Sequence, residues 1–497
     1  MIFGRSSLRH ASTAGIVASL VNGVATFVVF RLTVELVSLS AVGAWALIQG
    51  LFLIARISDI GTGSNITRAV AQPLKLGAVP QYGSIVAAGL ILNTIPVVIF
   101  GAALTPAVAW FVSRQYADII GSDTVQMLSI WSLLAGVLSS IAAVVMAAVE
   151  GSFRNAYRSW STVLANAAGL GVAVPLLGSL GVAALGILAC VIPLVQIFLC
   201  SVLLVKLAVT ERTNRPVNLR DLVRSLWREN LKLSAIGLCR LSFEPATKLL
   251  LSLIAPLPFI AVFELALRAS TQIRLVIQSA AQPLLALGAR ATENLDAEGA
   301  RLFADSQRRT TLTAILSCAL ILIAAPVISV FGLGRFEPSF FAIFALLVTS
   351  NAVNIMGMVG YFYLLSGTKL EYLLIIHVLM MLLNVGGGLL AVSIGSAVGV
   401  VAAYGAAFCL GGVMSYLSLR GVLSWKMERI RQLKGPSPLS VAALILFIAA
   451  LYVEVFLLPE LETWKSVATS MVACSLLLLL VIKPLGRAIG RTKEVLE

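Results

Sequence analysis

The sequence is a succession of long apolar runs, and about fourteen of them reach the roughly 20 residues a helix needs to cross a bilayer. They cover approximately residues 14–37, 42–66, 84–109, 125–149, 160–178, 182–205, 231–254, 260–284, 310–332, 340–365, 371–391, 397–419, 439–458 and 466–482. Hydrocarbon offers no partner to a backbone N–H or C=O, so runs of this length predict helices that satisfy their own backbone. Only 12% of the 497 residues are charged, against about 25% in soluble domains. The expected fold class is an all-α polytopic membrane protein of about 14 transmembrane helices.

The start, MIFGRSSLRH before an apolar run, has the charge layout of a signal peptide. The run outlasts the usual length of about 7–15 residues and meets no clear small-x-small cleavage site, so a retained first helix is expected.

A net charge of +14 raises the question of nucleic acid, and position answers it. With the N-terminus placed in the cytoplasm, most Lys and Arg fall in cytoplasmic breaks, and Arg114, Arg335 and Lys465 are the ones left in external loops. This is the positive-inside pattern, and an even helix count then leaves both termini cytoplasmic. The external connections are short, which leaves no room for an extracytoplasmic domain. The six cysteines are scattered through apolar runs without CxxC spacing, and His10 and His377 are too few for a metal centre. No cofactor and no nucleic-acid partner are expected.

The longest cytoplasmic break, 206–230, contains PVNLRDLVRSLWREN. Asn218 is placed to cap a helix in which Leu219, Leu222, Val223, Leu226 and Trp227 form one stripe and Arg220, Arg224 and Arg228 another. An amphipathic helix on the inner membrane surface is expected, either touching lipid or acting as a strut between halves. The break divides the chain into an N-terminal bundle (1–205, six spans), the linker (206–230), a C-terminal bundle (231–420, six spans) and two extra helices (439–482). AQPL recurs at 71–74 and 281–284. So short a match carries little weight for duplication in so biased a composition.

The informative residues are the charges inside the apolar runs. In GLCRLSFEPATKLLL (237–251), Arg240, Glu244 and Lys248 advance by about 40° per four-residue step and share a helix face with Thr247, while Pro245 predicts a bend. One charge at mid-membrane costs roughly 2.5–3.5 kcal/mol, so three demand a reason. The eighth run, FELALRASTQIRLVIQSAAQP, aligns Glu264, Arg268, Thr271, Gln278 and Gln282 in a stripe flanked by Gln272 and Arg274. One reading is structural, with Glu244 bridging Arg240 and Lys248 and Glu264 bridging Arg268 as i, i+4 pairs. The sign imbalance favours another: Arg240, Lys248, Arg268 and Arg274 outnumber Glu244 and Glu264, and excess buried positive charge suggests a hydrated cavity that takes an anion. Arg31 and Glu35 form a similar pair towards the outer end of the first run. Arg56 and Asp59, with Arg68, sit near the inner end of the second, as gate or anchor.

Three segments resemble the polysaccharide repeat-unit exporters, the Wzx-like branch of the multidrug/oligosaccharidyl-lipid/polysaccharide (MOP) superfamily. In SAVGAWALIQGLFLIARISDIGTGSNITRAVAQ the matching positions are Gly43, Trp45, Asp59, Gly61 and Arg68; in the eighth run they are Phe263, Ala266 and Pro283; EGSFRNAYRS (150–159) is similar to the segment after the family's fourth helix. The resemblance implies two six-helix bundles forming a V around a central cavity, plus two C-terminal helices. It also implies flipping of undecaprenyl-pyrophosphate-linked oligosaccharides across a bacterial inner membrane for exopolysaccharide or O-antigen synthesis. In that picture Arg240, Lys248, Arg268, Arg274 and Arg31 hold the pyrophosphate, Arg being the natural partner of phosphate oxygens. Glu244, Glu264 and Glu35 are candidates for proton or sodium coupling. Gln272, Gln278, Gln282, Thr271 and Ser270 hydrate the glycan passage, and Arg56 and Asp59 gate it. The expected partners are the lipid-linked oligosaccharide, membrane lipids, and a polysaccharide polymerase with its chain-length machinery. Three alternatives stay open: a lipid II flippase, a multidrug cation antiporter, and a membrane-embedded polymerase or ligase. The last would need catalytic groups and a larger external loop.

Overall fold

The computed structural model describes residues 5–56, 63, 65–71, 81–210, 218–241, 243–281, 297–366 and 370–427. All regular structure among them is helical. In chain order the α-helices are α1 Arg5–Leu36, α2 Leu39–Phe52, α3 Tyr82–Ile120, α4 Ser122–Gly151, α5 Asn155–Leu180, α6 Ala183–Thr210, α7 Leu219–Leu241, α8 Phe243–Ile254, α9 Leu257–Ala281, α10 Ala297–Ile323, α11 Ala325–Leu333, α12 Pro338–Met356, α13 Met358–Ser366, α14 Leu370–Ser393 and α15 Ala397–Met427. A 3₁₀ turn, Leu53–Arg56, follows α2.

Nine helices among the described residues are long and apolar enough to cross a membrane, or ten if the bent pair Phe303–Ile323 and Ala325–Leu333 is one span. The protein is a multi-pass membrane protein. Where they are described, the first twelve apolar runs fall on helices, while 439–458 and 466–482 lie outside the described residues. Helix α9 has the length of a span, but Glu264, Arg268 and Arg274 leave it outside the apolar set.

In the seventh run Arg240 lies on α7, the helix that begins in the linker, and Glu244 and Lys248 lie on α8, with Ser242 between the two outside the described residues. The ninth run bends by 53° between α10 and α11, where Pro326 sits in the first turn of the new helix, a position that tolerates its ring. Between α12 and α13, Gly357 lies so close to Gly412 that a Cβ would fall on the latter's backbone carbonyl.

The chain forms two compact units, Met1–Glu264 and Leu265–Glu497. In the first, α3 packs on α4, α4 on α6, α6 on α5 and α5 on α1. In the second, α10 packs on α12, α12 on α15 and α15 on α14. The order of neighbours in α3–α6 thus recurs in α10, α12, α14 and α15, which is the pattern a duplicated bundle leaves.

Water is scarce between such helices, so polar side chains find partners across them. Asn93 Nδ2 donates to Ser140 Oγ at 2.9 Å and Gln49 Nε2 to Ser132 Oγ at 3.0 Å. In the second unit Gln307 Nε2 donates to the Met356 carbonyl at 2.6 Å and Asn354 Nδ2 to that of Phe408 at 3.1 Å. Each such bond contributes about 0.6–2 kcal/mol.

Candidate functional site

Two arrangements of charge occupy the α7–α9 region, one closed and one open. The closed one centres on Lys248, 1% exposed, whose Nζ lies 2.6 Å from Glu244 Oε1 and 2.6 Å from Glu264 Oε2. Glu244 precedes Lys248 by one helical turn on α8. Glu264 reaches it from α9 because the chain reverses at Ala255 and Pro256, and Lys248 and Glu264 are equidistant from that proline. Glu264 is 3% exposed and Glu244 35%. An ammonium this deeply buried needs charged partners, and here it has two.

Glycines on α2 make room for this cluster. A Cβ on Gly50 would stand 2.6 Å from Lys248 Cδ, and one on Gly43 would fall on the Leu257 carbonyl. Small residues at such positions let helices approach until backbones touch. At the far end of α8 the Tyr116 hydroxyl donates to the Ser252 carbonyl at 2.8 Å and lies 3.3 Å from that of Ala255; Gln115 Nε2 donates to Ser252 as well. These bonds satisfy carbonyls that a helix C-terminus otherwise leaves open. Thr247, expected on the charged face, is fully buried and donates to the Phe243 carbonyl at 2.8 Å.

The open arrangement lies along the second half of α9, within the second unit. Arg268 is exposed, while Thr271, Gln272, Arg274 and Gln278 are half-buried. The Arg274 guanidinium sits 5.2 Å over the Phe408 ring, a cation–π contact that fixes its plane. Asn354, bonded to the Phe408 backbone, helps hold that ring's helix in register. Gln272 Oε1 is buried without a protein hydrogen-bond partner. Thr271 Oγ1 donates to the Leu267 carbonyl at 2.6 Å. Ser270 does not line a passage: it is fully buried, and its hydroxyl turns back to Leu267 at 3.0 Å.

Other expected residues are more scattered. Arg240 lies near the end of α7. Arg31 pairs with Glu35 at 3.2 Å, both partly exposed at 31% and 56%. Arg56 is half-buried at the end of the 3₁₀ turn, while Asp59 and Gln282 lie outside the described residues. Lys248, expected to hold an anion, has its ammonium engaged by two carboxylates. Gly50, Tyr116 and Phe408 were not anticipated. Their roles depend on contacts across helices, although the spacing of Gly43 and Gly50 on one face of α2 is visible in sequence. Among the described residues no group of His, Cys, Asp and Glu is arranged to hold a metal ion.

No family model and no curated protein sequence matches the chain. Solved structures do, and they show its fold, which is the one found in transporters of the MOP superfamily. The neighbours are chiefly of its MATE family. A multidrug resistance MATE family transporter in an inward-facing conformation superimposes with a TM-score of 0.67 at 16% identity, covering 83% of this chain and 96% of that one. A mutant of the Vibrio cholerae MATE transporter VcmN gives 0.62 at 14% identity, covering 86% and 98%. A MOP superfamily transporter from Pyrococcus furiosus, in which reverse polarity of the binding pocket suggests a different function, gives 0.60 at 15% identity, covering 84% and 95%.

Proposed function

We propose that this protein is an alternating-access flippase for an anionic lipid-linked saccharide, namely undecaprenyl-pyrophosphate-linked repeat units moved across a bacterial inner membrane with both termini cytoplasmic. One observation carries the reading. On the second half of α9 an exposed arginine, Arg268, stands in sequence beside Gln272, whose buried acceptor has no protein hydrogen-bond partner, and Arg274, whose guanidinium is held over the Phe408 ring. Arginine suits phosphate oxygens, which it meets bidentately, and a guanidinium already held over Phe408 loses little freedom on binding. Gln272, with an acceptor unmet by protein, and Gln278 supply hydrogen bonds to a hydrated headgroup. The polyprenyl tail stays in lipid while the halves rock, as in transporters built from repeats.

The Glu244–Lys248–Glu264 cluster is the coupling element in this scheme. A proton or a sodium ion arriving at its carboxylates would change the charge around Lys248, and the position of Lys248 against Gly50 makes the α2–α8 contact sensitive to that event. Transport, with no bond made or broken by the protein, is the role its structural neighbours share.

A second reading has its own observation. Glu244 is 35% exposed, and a reachable carboxylate is what a cationic drug antiporter requires. Vesicles containing the purified protein and a fluorescent undecaprenyl-pyrophosphoryl saccharide separate the two. The proposal predicts that probe crosses to the far leaflet, where a membrane-impermeant reductant no longer bleaches it, and that Arg268→Ala with Arg274→Ala abolishes crossing. Ethidium accumulation driven by a cation gradient, without lipid crossing, would establish the antiporter instead.

A further inference from the structure

The linker helix α7 has two working faces, and only one of them is used by the protein. Asn218 caps it as its sequence suggests, accepting from the Arg220 backbone N–H at 3.1 Å. Leu226, 7% exposed, packs with Ala88 and Leu92 of α3, joined by the partly buried Leu222 and Val223. These residues form the strut. Trp227 lies away from them, 49% exposed, and Arg220 and Arg224 are exposed too. At 3.6 residues per turn the three side chains fall within about 60° of arc, spread over roughly 10 Å of helix. Ala88 and Leu92 lie near the start of α3, so the strip is held at the level of the membrane surface from which α3 enters.

We propose that Arg220, Arg224 and Trp227 form a docking strip for the phosphate headgroup of an anionic phospholipid in the cytoplasmic leaflet. Complementarity selects this occupant. Two guanidinium groups offer charge-assisted donors to phosphate oxygens, and an indole beside them is the side chain that settles at the headgroup level. The surrounding 206–230 segment adds to the attraction: Lys206, Arg212, Arg215, Arg220, Arg224 and Arg228 outnumber Glu211, Asp221 and Glu229. The consequence is regulatory. Helix α7 ends at Leu241 and α8 begins at Phe243, so a lipid held on the strip sits on the helix that leads directly to Glu244 and Lys248. The inference rests on the cytoplasmic placement of the linker and not on the identity of the transported solute.

The test measures lipid proximity rather than transport, so its failure is distinct from failure of the flippase reading. Full-length protein is reconstituted in phosphatidylcholine vesicles carrying a trace of dansyl-labelled phosphatidylglycerol or dansyl-labelled phosphatidylcholine. Energy transfer from Trp227 is the difference between wild type and Trp227→Phe. Transfer should favour phosphatidylglycerol, and that preference should fall about fivefold for each of Arg220→Gln and Arg224→Gln, from about 1 kcal/mol per basic residue at an anionic surface. Leu226→Ala, which weakens the strut but spares the strip, should retain the preference. Equal transfer to the two lipids, or a preference unchanged in the double glutamine variant with an unaltered elution profile, would overturn the proposal. Transfer to neither lipid would also overturn it and point to a protein on this face.

Discussion

The α8 cluster and the second half of α9 contain the same kinds of side chain in adjacent sequence, yet they live under opposite rules. Around Lys248 every charge is answered by another within 2.6 Å, and the ammonium has no exposure to spare. Beyond Glu264 the basic residues stand at the surface or against an aromatic ring, and Gln272 keeps a buried acceptor without a protein partner. Charge alone therefore does not define the binding surface. What separates the regions is burial: Lys248 is sealed between two carboxylates, whereas Arg268 reaches the surface.

The largest expected effect comes from breaking the closed region. Lys248→Met leaves two carboxylates facing each other in the interior, and removing one partner of a buried ion pair costs about 3–5 kcal/mol. A marked fall in melting temperature, measured on the detergent-solubilised protein, should be partly reversed by adding Glu264→Gln. Next comes the seat of that cluster: Gly50→Val pushes a branched side chain into the Lys248 stem, and overpacking of this kind costs typically 1–3 kcal/mol, visible in the same melting assay. The open region should respond in the reverse sense. Arg268→Ala with Arg274→Ala should leave the melting temperature near wild type and lower lipid-linked substrate transport by at least about 100-fold, from about 1.5–3 kcal/mol for each of two charge-assisted bonds. Phe408→Leu removes only the ring under Arg274, worth about 1 kcal/mol, and should cost transport about fivefold. The smallest effect is expected at the partly exposed Arg31–Glu35 pair, where Glu35→Gln should change stability by no more than about 1 kcal/mol.

The spans were legible because hydropathy over twenty residues integrates a strong signal, and the described residues of the first twelve runs are almost all helical. Ladders of i, i+4 pairs can be inferred from spacing, so Glu244–Lys248 was foreseeable. Glu264–Lys248 was not, since it forms only after the turn at Pro256 folds α9 back on α8. The same limit hid Phe408, which meets Arg274 across a large interval of sequence. Ser270 shows the converse error, because a serine on a polar helix still points inward when its own turn accepts its hydroxyl.

In the proposed scheme Lys248 serves the carboxylates, and Arg268 and Arg274 serve the anion. Titration of a short-chain prenyl pyrophosphate into purified wild type, Arg268→Ala/Arg274→Ala and Lys248→Met/Glu264→Gln, followed by calorimetry, tests it most directly. The account predicts that the arginine double variant melts normally but loses binding, while the Lys248 double variant binds and fails to transport. Retained binding without the two arginines, together with loss of binding in the Lys248 double variant, would contradict it.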